Sequence, residues 1–227
     1  MRFPRVSLPT TIVVAVVLIA VAFSTVPMRS HAQTTPVSFV DSGQLLGNQY
    51  STDIALGDVD GDGDLDAVVA NTGFPIVGES RLWTNQGGVQ GGTTGLFIES
   101  TQDFGAWNAR AVALGDLDGD GDLDAFFALE NLGDQVWFNQ NGIFTDSGQS
   151  LGNELSQDVA LGDLDGDGDL DAVVGTNNFN EADRTWINQG GAQGGTVGIF
   201  LAGPLLAVDG TNAVVLFDAD GDADLDL

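Results

Sequence analysis

Five aspartates at every second position recur four times in this chain. Asp58–Asp66, Asp116–Asp124 and Asp163–Asp171 read Asp-x-Asp-Gly-Asp-Gly-Asp-Leu-Asp, and Asp218–Asp226 is a close fourth copy with Ala223 at the sixth position. Carboxylates packed this closely repel one another unless a cation neutralises them, which argues against four bare solvated turns. Hard oxygen ligands around a tight turn suit Ca²⁺, which takes about six to eight oxygens in a flexible shell. Positions 1, 3, 5 and 9 are expected to give side-chain oxygens. They are Asp58, Asp60, Asp62 and Asp66; Asp116, Asp118, Asp120 and Asp124; Asp163, Asp165, Asp167 and Asp171; Asp218, Asp220, Asp222 and Asp226. Position 7 (Asp64, Asp122, Asp169, Asp224) is expected to give its backbone carbonyl and to turn its carboxylate to water. Gly63, Gly121 and Gly168 at position 6 are expected to adopt the positive φ that folds the loop back.

An EF-hand opens with a similar acidic run, but it needs a bidentate Glu at position 12 between two helices. Position 12 here is Val69, Phe127 and Val174. The flanks are short apolar runs of strand type, Ala67–Ala70, Ala125–Ala128 and Ala172–Gly175 after the loops and Asp53–Leu56, Arg110–Leu114 and Asp158–Leu161 before them. Each acidic loop therefore joins two strands.

The repeat extends further. A tryptophan strand follows each unit (Leu82–Gln86, Val136–Gln140, Thr185–Gln189), then a turn, then an apolar segment ending in Phe97, Phe144 or Phe200. The turn is Asn141-Gly142 in the second unit, a strong hairpin signal, and the glycine-rich 87–95 and 190–198 in the others. Loop starts at 58, 116, 163 and 218 give a unit of four short strands, A to D, every 47 to 58 residues. That spacing predicts an all-β chain, a β-propeller of four-stranded blades. Three blades are full and a fourth begins. With Val37–Asp41 resembling a D strand, the chain reads as the N-terminal fragment of a longer protein or as a truncated gene product.

The Asp loops, the flanking Ala-Leu-Gly-Asp and Leu-Asp-Ala-Val stretches and the Trp-x-Asn-Gln segments resemble FG-GAP or VCBS repeat proteins, related to the propeller of integrin α subunits. The resemblance covers about residues 37–227. Phe104-Gly105 is the one Phe-Gly pair, and no Gly-Ala-Pro follows it. It implies calcium-stabilised blades on secreted or surface proteins, often adhesive, and no single activity.

The ends and the charge agree with export. Arg2 and Arg5 precede the apolar run 12–23, and Ser30-His31-Ala32 reads as a cleavage site. Residues 1–32 are thus expected to be a signal peptide and 33–227 the repeat domain. The apolar run is short of the about 20 residues of a membrane span. The formal net charge is −27, and all 33 acidic residues lie after Ala32 while three of the six basic ones lie before it. A surface so acidic argues against nucleic acid and anionic membranes as partners.

Trp83, Trp137 and Trp186 recur at one repeat position, which favours packing between blades over a sugar-stacking row. Trp107 lies outside that register. The Gly-Gly stretches lack the Lys and helix of a phosphate-binding loop and read as flexible hairpin tips. Enzyme chemistry is poorly supplied: there is no Cys or Lys, and the one His is His31 in the leader. Glu79, Glu99, Glu130, Glu154 and Glu181, scattered among connections, are the remaining candidates for a carboxylate pair. The expected function is therefore non-catalytic: a secreted or cell-surface calcium-binding module for recognition or adhesion, with a protein or glycan partner. The alternative is a propeller attached to a carbohydrate-active enzyme. In an up-and-down blade the acidic A–B loops and the C–D tips share one rim. The variable B–C and D–A connections, with Phe74, Trp107 and Phe179, form the opposite rim, where a partner is expected.

Overall fold

The computed structural model describes residues 40–73, 78–206, 208, 210–222 and 224–226. The expected leader, Phe74 and Ala223 lie outside the described residues. So does most of the 37–41 segment, of which Val40 and Asp41 are not in a strand.

Strands alternate with tight turns as the repeat requires. The first unit contains β1 (Tyr50–Gly57), β2 (Asp66–Thr72), β3 (Gly78–Glu79), β4 (Arg81–Asn85) and β5 (Phe97–Glu99). The second contains β6 (Ala106–Trp107), β7 (Ala109–Gly115), β8 (Asp124–Leu129), β9 (Gln135–Gln140) and β10 (Ile143–Asp146). The third contains β11 (Ser156–Gly162), β12 (Asp171–Thr176), β13 (Arg184–Asn188) and β14 (Phe200–Leu205). Three antiparallel meanders result, β1-β2-β4-β5, β7-β8-β9-β10 and β11-β12-β13-β14. These are three propeller blades. The short pair β3–β6 ties the B–C connection of the first to the segment leading into the second. Beyond β14, a bridge between Phe217 and Asp226 closes the fourth acidic loop, the start of a fourth blade.

Packing explains the residue pattern. Strand B lies between neighbouring blades, so β8 and β12 are buried at every residue and read as unbroken apolar runs rather than alternating ones. One core joins the first two blades around Val59, Val68, Leu82, Phe104, Phe127 and Trp137. A second joins the next pair around Leu117, Phe126, Val136, Val174, Trp186 and Phe200. Phe104 is the hub of the first, its ring 5.1 Å from Phe127, 5.4 Å from Trp137 and 5.2 Å from Phe144. Trp137 and Trp186 are thus inter-blade packing, as their recurrence predicts. Trp107, a candidate for a surface contact, is half-buried against the first core, and its indole N–H donates to the carbonyl of Phe104.

Strand A carries the same irregularity in each blade. The register skips one residue between Ser51 and Asp53, between Ala109 and Ala111, and between Ser156 and Asp158. Thr52, Arg110 and Gln157 are therefore bulge residues, and a bulge re-aims the side chain it carries.

Candidate metal centres

Each acidic loop is tied together by its first aspartate. Asp58 accepts the N–H groups of Asp62 at 3.0 Å and Gly63 at 2.9 Å. Asp116 does the same for Gly119 and Gly121, and Asp163 for Gly166, Asp167 and Gly168. The turn needs the left-handed region at position 6, where φ is 94° at Gly63, 97° at Gly121 and 99° at Gly168, as expected. Position 4 is also left-handed, with φ 73° at Gly61, a second requirement for glycine in the turn.

The loops bring carboxylates together around four points. Oxygens within 4.8 Å of one another come from Asp58, Asp60 and Asp62; from Asp116, Asp118 and Asp124; from Asp163, Asp165 and Asp171; and from Asp218, Asp220 and Asp226. Positions 1 and 3 take part in every loop, position 5 in the first and position 9 in the other three. The remaining aspartates of the expected set fall outside these groups.

Position 9 has a second task. Asp66, Asp124 and Asp171 are fully buried, and each accepts one N–H from position 2 of its own loop and one from the asparagine of the tryptophan strand. For Asp124 these are Leu117 at 2.8 Å and Asn139 at 2.7 Å; Val59 with Asn85 and Leu164 with Asn188 repeat the pattern. Burial pushes Asp124 and Asp171 up to about 6, against the pull of those amides.

The asparagine then links blades. Its Nδ2 donates to the position-8 carbonyl of its own loop (Leu65, Leu123, Leu170). In Asn139 and Asn188 it also donates at 2.8 Å to the position-2 carbonyl of the preceding loop, Val59 and Leu117. Its Oδ1 accepts the N–H of a glycine in the C–D tip, Gly95, Gly142 or Gly198. This latch went unread in the sequence, although its signal was present: the Asn two residues after each Trp.

Position 7 departs from expectation. The carboxylates of Asp64, Asp122 and Asp169 are half-buried under the C–D tip of the same blade rather than turned to water. Asp122 accepts the N–H of Asn141 at 2.9 Å. Asp64 lies beside Gly87 and Asp169 beside Gly190, where a side chain would collide with the carboxylate. Burial, with the charge of Asp62 next, raises the Asp64 carboxyl above its usual range. The glycine-rich tips are accordingly seated, each with one 3-10 turn (Gly88–Gln90, Gly191–Gln193). The Val89 N–H donates to the Asp62 carbonyl at 3.1 Å, and the Gln193 amide donates to Asp165.

The donor set fits a hard cation. Asp62 is buried; its Oδ1 accepts the N–H of Asp64 at 3.0 Å, while Oδ2 has no donor among the described residues. Asp169 Oδ2 is likewise buried without one. A buried carboxylate oxygen without a hydrogen-bond donor is costly unless a positive charge faces it. Among the described residues no side-chain cation is offered here: Arg81, Arg110 and Arg184 all pair with Glu residues.

One further recurring residue sits three before each tryptophan. Ser80, Asp134 and Asp183 are buried and close the B–C turn, accepting the N–H of Asn71, Leu129 and Thr176. Burial pushes Asp134 up to about 8 despite the Leu129 amide and the nearby Ser156 hydroxyl.

A family model described as FG-GAP-like repeat matches residues 58–127 and 116–174, together just over half of the chain. No curated protein matches it.

Proposed function

The chain belongs to the FG-GAP-like repeat family, and on that premise we propose that it is an extracellular, non-catalytic recognition module whose loops bind structural Ca²⁺. The observation that carries the metal reading is the first loop. There, three aspartates converge within 4.8 Å, and the buried Asp62 holds an oxygen that no donor satisfies among the described residues. Asp58, Asp60 and Asp62, and their counterparts in the other loops, would hold the ion. The ion would neutralise each cluster and fix the A–B turn against the tip above it. Four of the five non-loop Glu residues, Glu79, Glu99, Glu130 and Glu154, pair with arginine, which favours structural over catalytic roles.

Because the tips cover the acidic loops, the opposite rim is the freer surface for a protein or glycan partner. Phe179 is 76% exposed on it. Export by way of residues 1–32 belongs to the same reading. Calcium titration calorimetry on the chelator-treated protein tests it. Several sites of similar affinity are expected, with the fourth weaker. If Ala223 must take the left-handed conformation of position 6, the penalty of about 1–2 kcal/mol makes that site roughly ten-fold weaker. No heat of binding would contradict the metal reading, and four equal sites would contradict the role given to position 6.

A further inference from the structure

On the rim away from the acidic loops, a cleft of ≈ 550 Å³ opens between the first two blades, lined by Tyr50, Thr72, Gly73, Asn108, Arg110 and Glu130. Its size is that of a small-molecule site, within the range of about 300–1,000 Å³. Arg110 is the bulge residue of β7. Its guanidinium donates twice to one oxygen of Glu130, Nε at 3.1 Å and Nη2 at 2.6 Å. Arg110 Nη1 and Glu130 Oε1 are left without a partner among the described residues. Asn108 accepts through Oδ1 from Thr72 at 3.3 Å and Gly73 at 3.4 Å, which leaves its Nδ2 hydrogens to donate. Tyr50, the one tyrosine of the chain, is 72% exposed at the edge.

Blade packing does not explain this set. The corresponding residues one blade on are Asn108, Glu130, Asn131, Leu155, Gln157 and Asn177, with no aromatic ring and no arginine. Residues that hold blades together, such as the Asn latch, repeat; these do not.

We propose that the cleft binds a neutral saccharide. The Arg110–Glu130 pair gives the site no net charge, while the surrounding acidic surface repels anionic ligands. Adjacent sugar hydroxyls, each both donor and acceptor, match a guanidinium N–H and a carboxylate oxygen side by side, with the Asn108 amide as a second donor. The Tyr50 ring supplies an apolar face with a polar tip for the ring of the sugar. The proposal deepens the recognition reading and rests on its choice of rim.

Saturation-transfer NMR on the full, calcium-loaded chain, with maltose, cellobiose and lactose as probes, tests it. At least one disaccharide should receive transfer at about 10 mM, a concentration suited to weak sites. Tyr50→Ala and Arg110→Gln should each weaken binding roughly ten-fold. Both side chains are outside the cores, so the melting midpoint should hold. Absence of transfer from all three sugars, or binding that survives both cleft variants, overturns the proposal. Failure of the rim reading would look different: a bound partner, sugar or protein, lost on Val89→Asp in the tip over the first loop and kept in the cleft variants.

Discussion

The asparagine two residues after each tryptophan does more than any metal-ligand candidate to connect one blade with the next. Asn139 and Asn188 each satisfy a carbonyl of the preceding loop that would otherwise be buried without a donor. Replacing either with Ala should cost about 2–4 kcal/mol, since hydrogen bonds are lost and a buried carbonyl is stranded. Among the described residues the Asn85 Nδ2 donates to Leu65 alone and to no carbonyl of a neighbouring blade. Asn85→Ala should therefore cost about 1 kcal/mol less in urea denaturation, and equal costs would contradict the latch. Asp134 gives a second test at this scale. Its folded carboxyl titrates at about 8, far above the ordinary aspartate value. Between about pH 4 and 8 the folded state keeps a proton that the unfolded chain has released, so this group's contribution to stability is full below the unfolded pKa and declines as pH rises to about 8. Asp134→Asn should flatten that decline in a series of melts at different pH. An unchanged slope would mean that the carboxyl is ionised in the fold.

Among the elements, the C–D hairpin tip is the part the sequence disguised. The strands were legible because β-branched and aromatic runs bounded by Asp-Gly turns leave few alternatives, and the four Asp loops were legible because their register is strict. The seat of the tip was not, because it depends on distance in space: Gly87 and Gly190 look like linker residues until Asp64 and Asp169 are placed beneath them. The same cause hid the inner role of position 9, which looks like one more ligand although both its oxygens already accept amide hydrogens. Gly190→Ala puts a methyl group against the Asp169 carboxylate. It should lift the tip and weaken the calcium binding proposed for the third loop roughly ten-fold by calorimetry, leaving that of the second loop, whose tip is the short Asn141-Gly142 turn, unaffected. Equal weakening at both would show that the tip does not act on its own loop.

At the scale of the molecule, the blades are held by two inter-blade cores and by the latch, and the acidic loops all meet the same rim. Twenty of the 33 acidic residues lie in those loops, so folding must bring like charges together four times. Without a counter-ion this repulsion opposes the apolar packing, so on the proposed function metal binding is expected to couple to stability. Ligand binding to the folded state adds about 2.7 kcal/mol per site at a hundred-fold excess over Kd. The most direct test is a thermal melt of the full chain in millimolar calcium and again in excess chelator, followed by circular dichroism. The midpoint should fall on chelation by roughly 5–10 °C for each site emptied. An unchanged midpoint would contradict the account, because the aspartates would then be tolerated at close range without any ion between them.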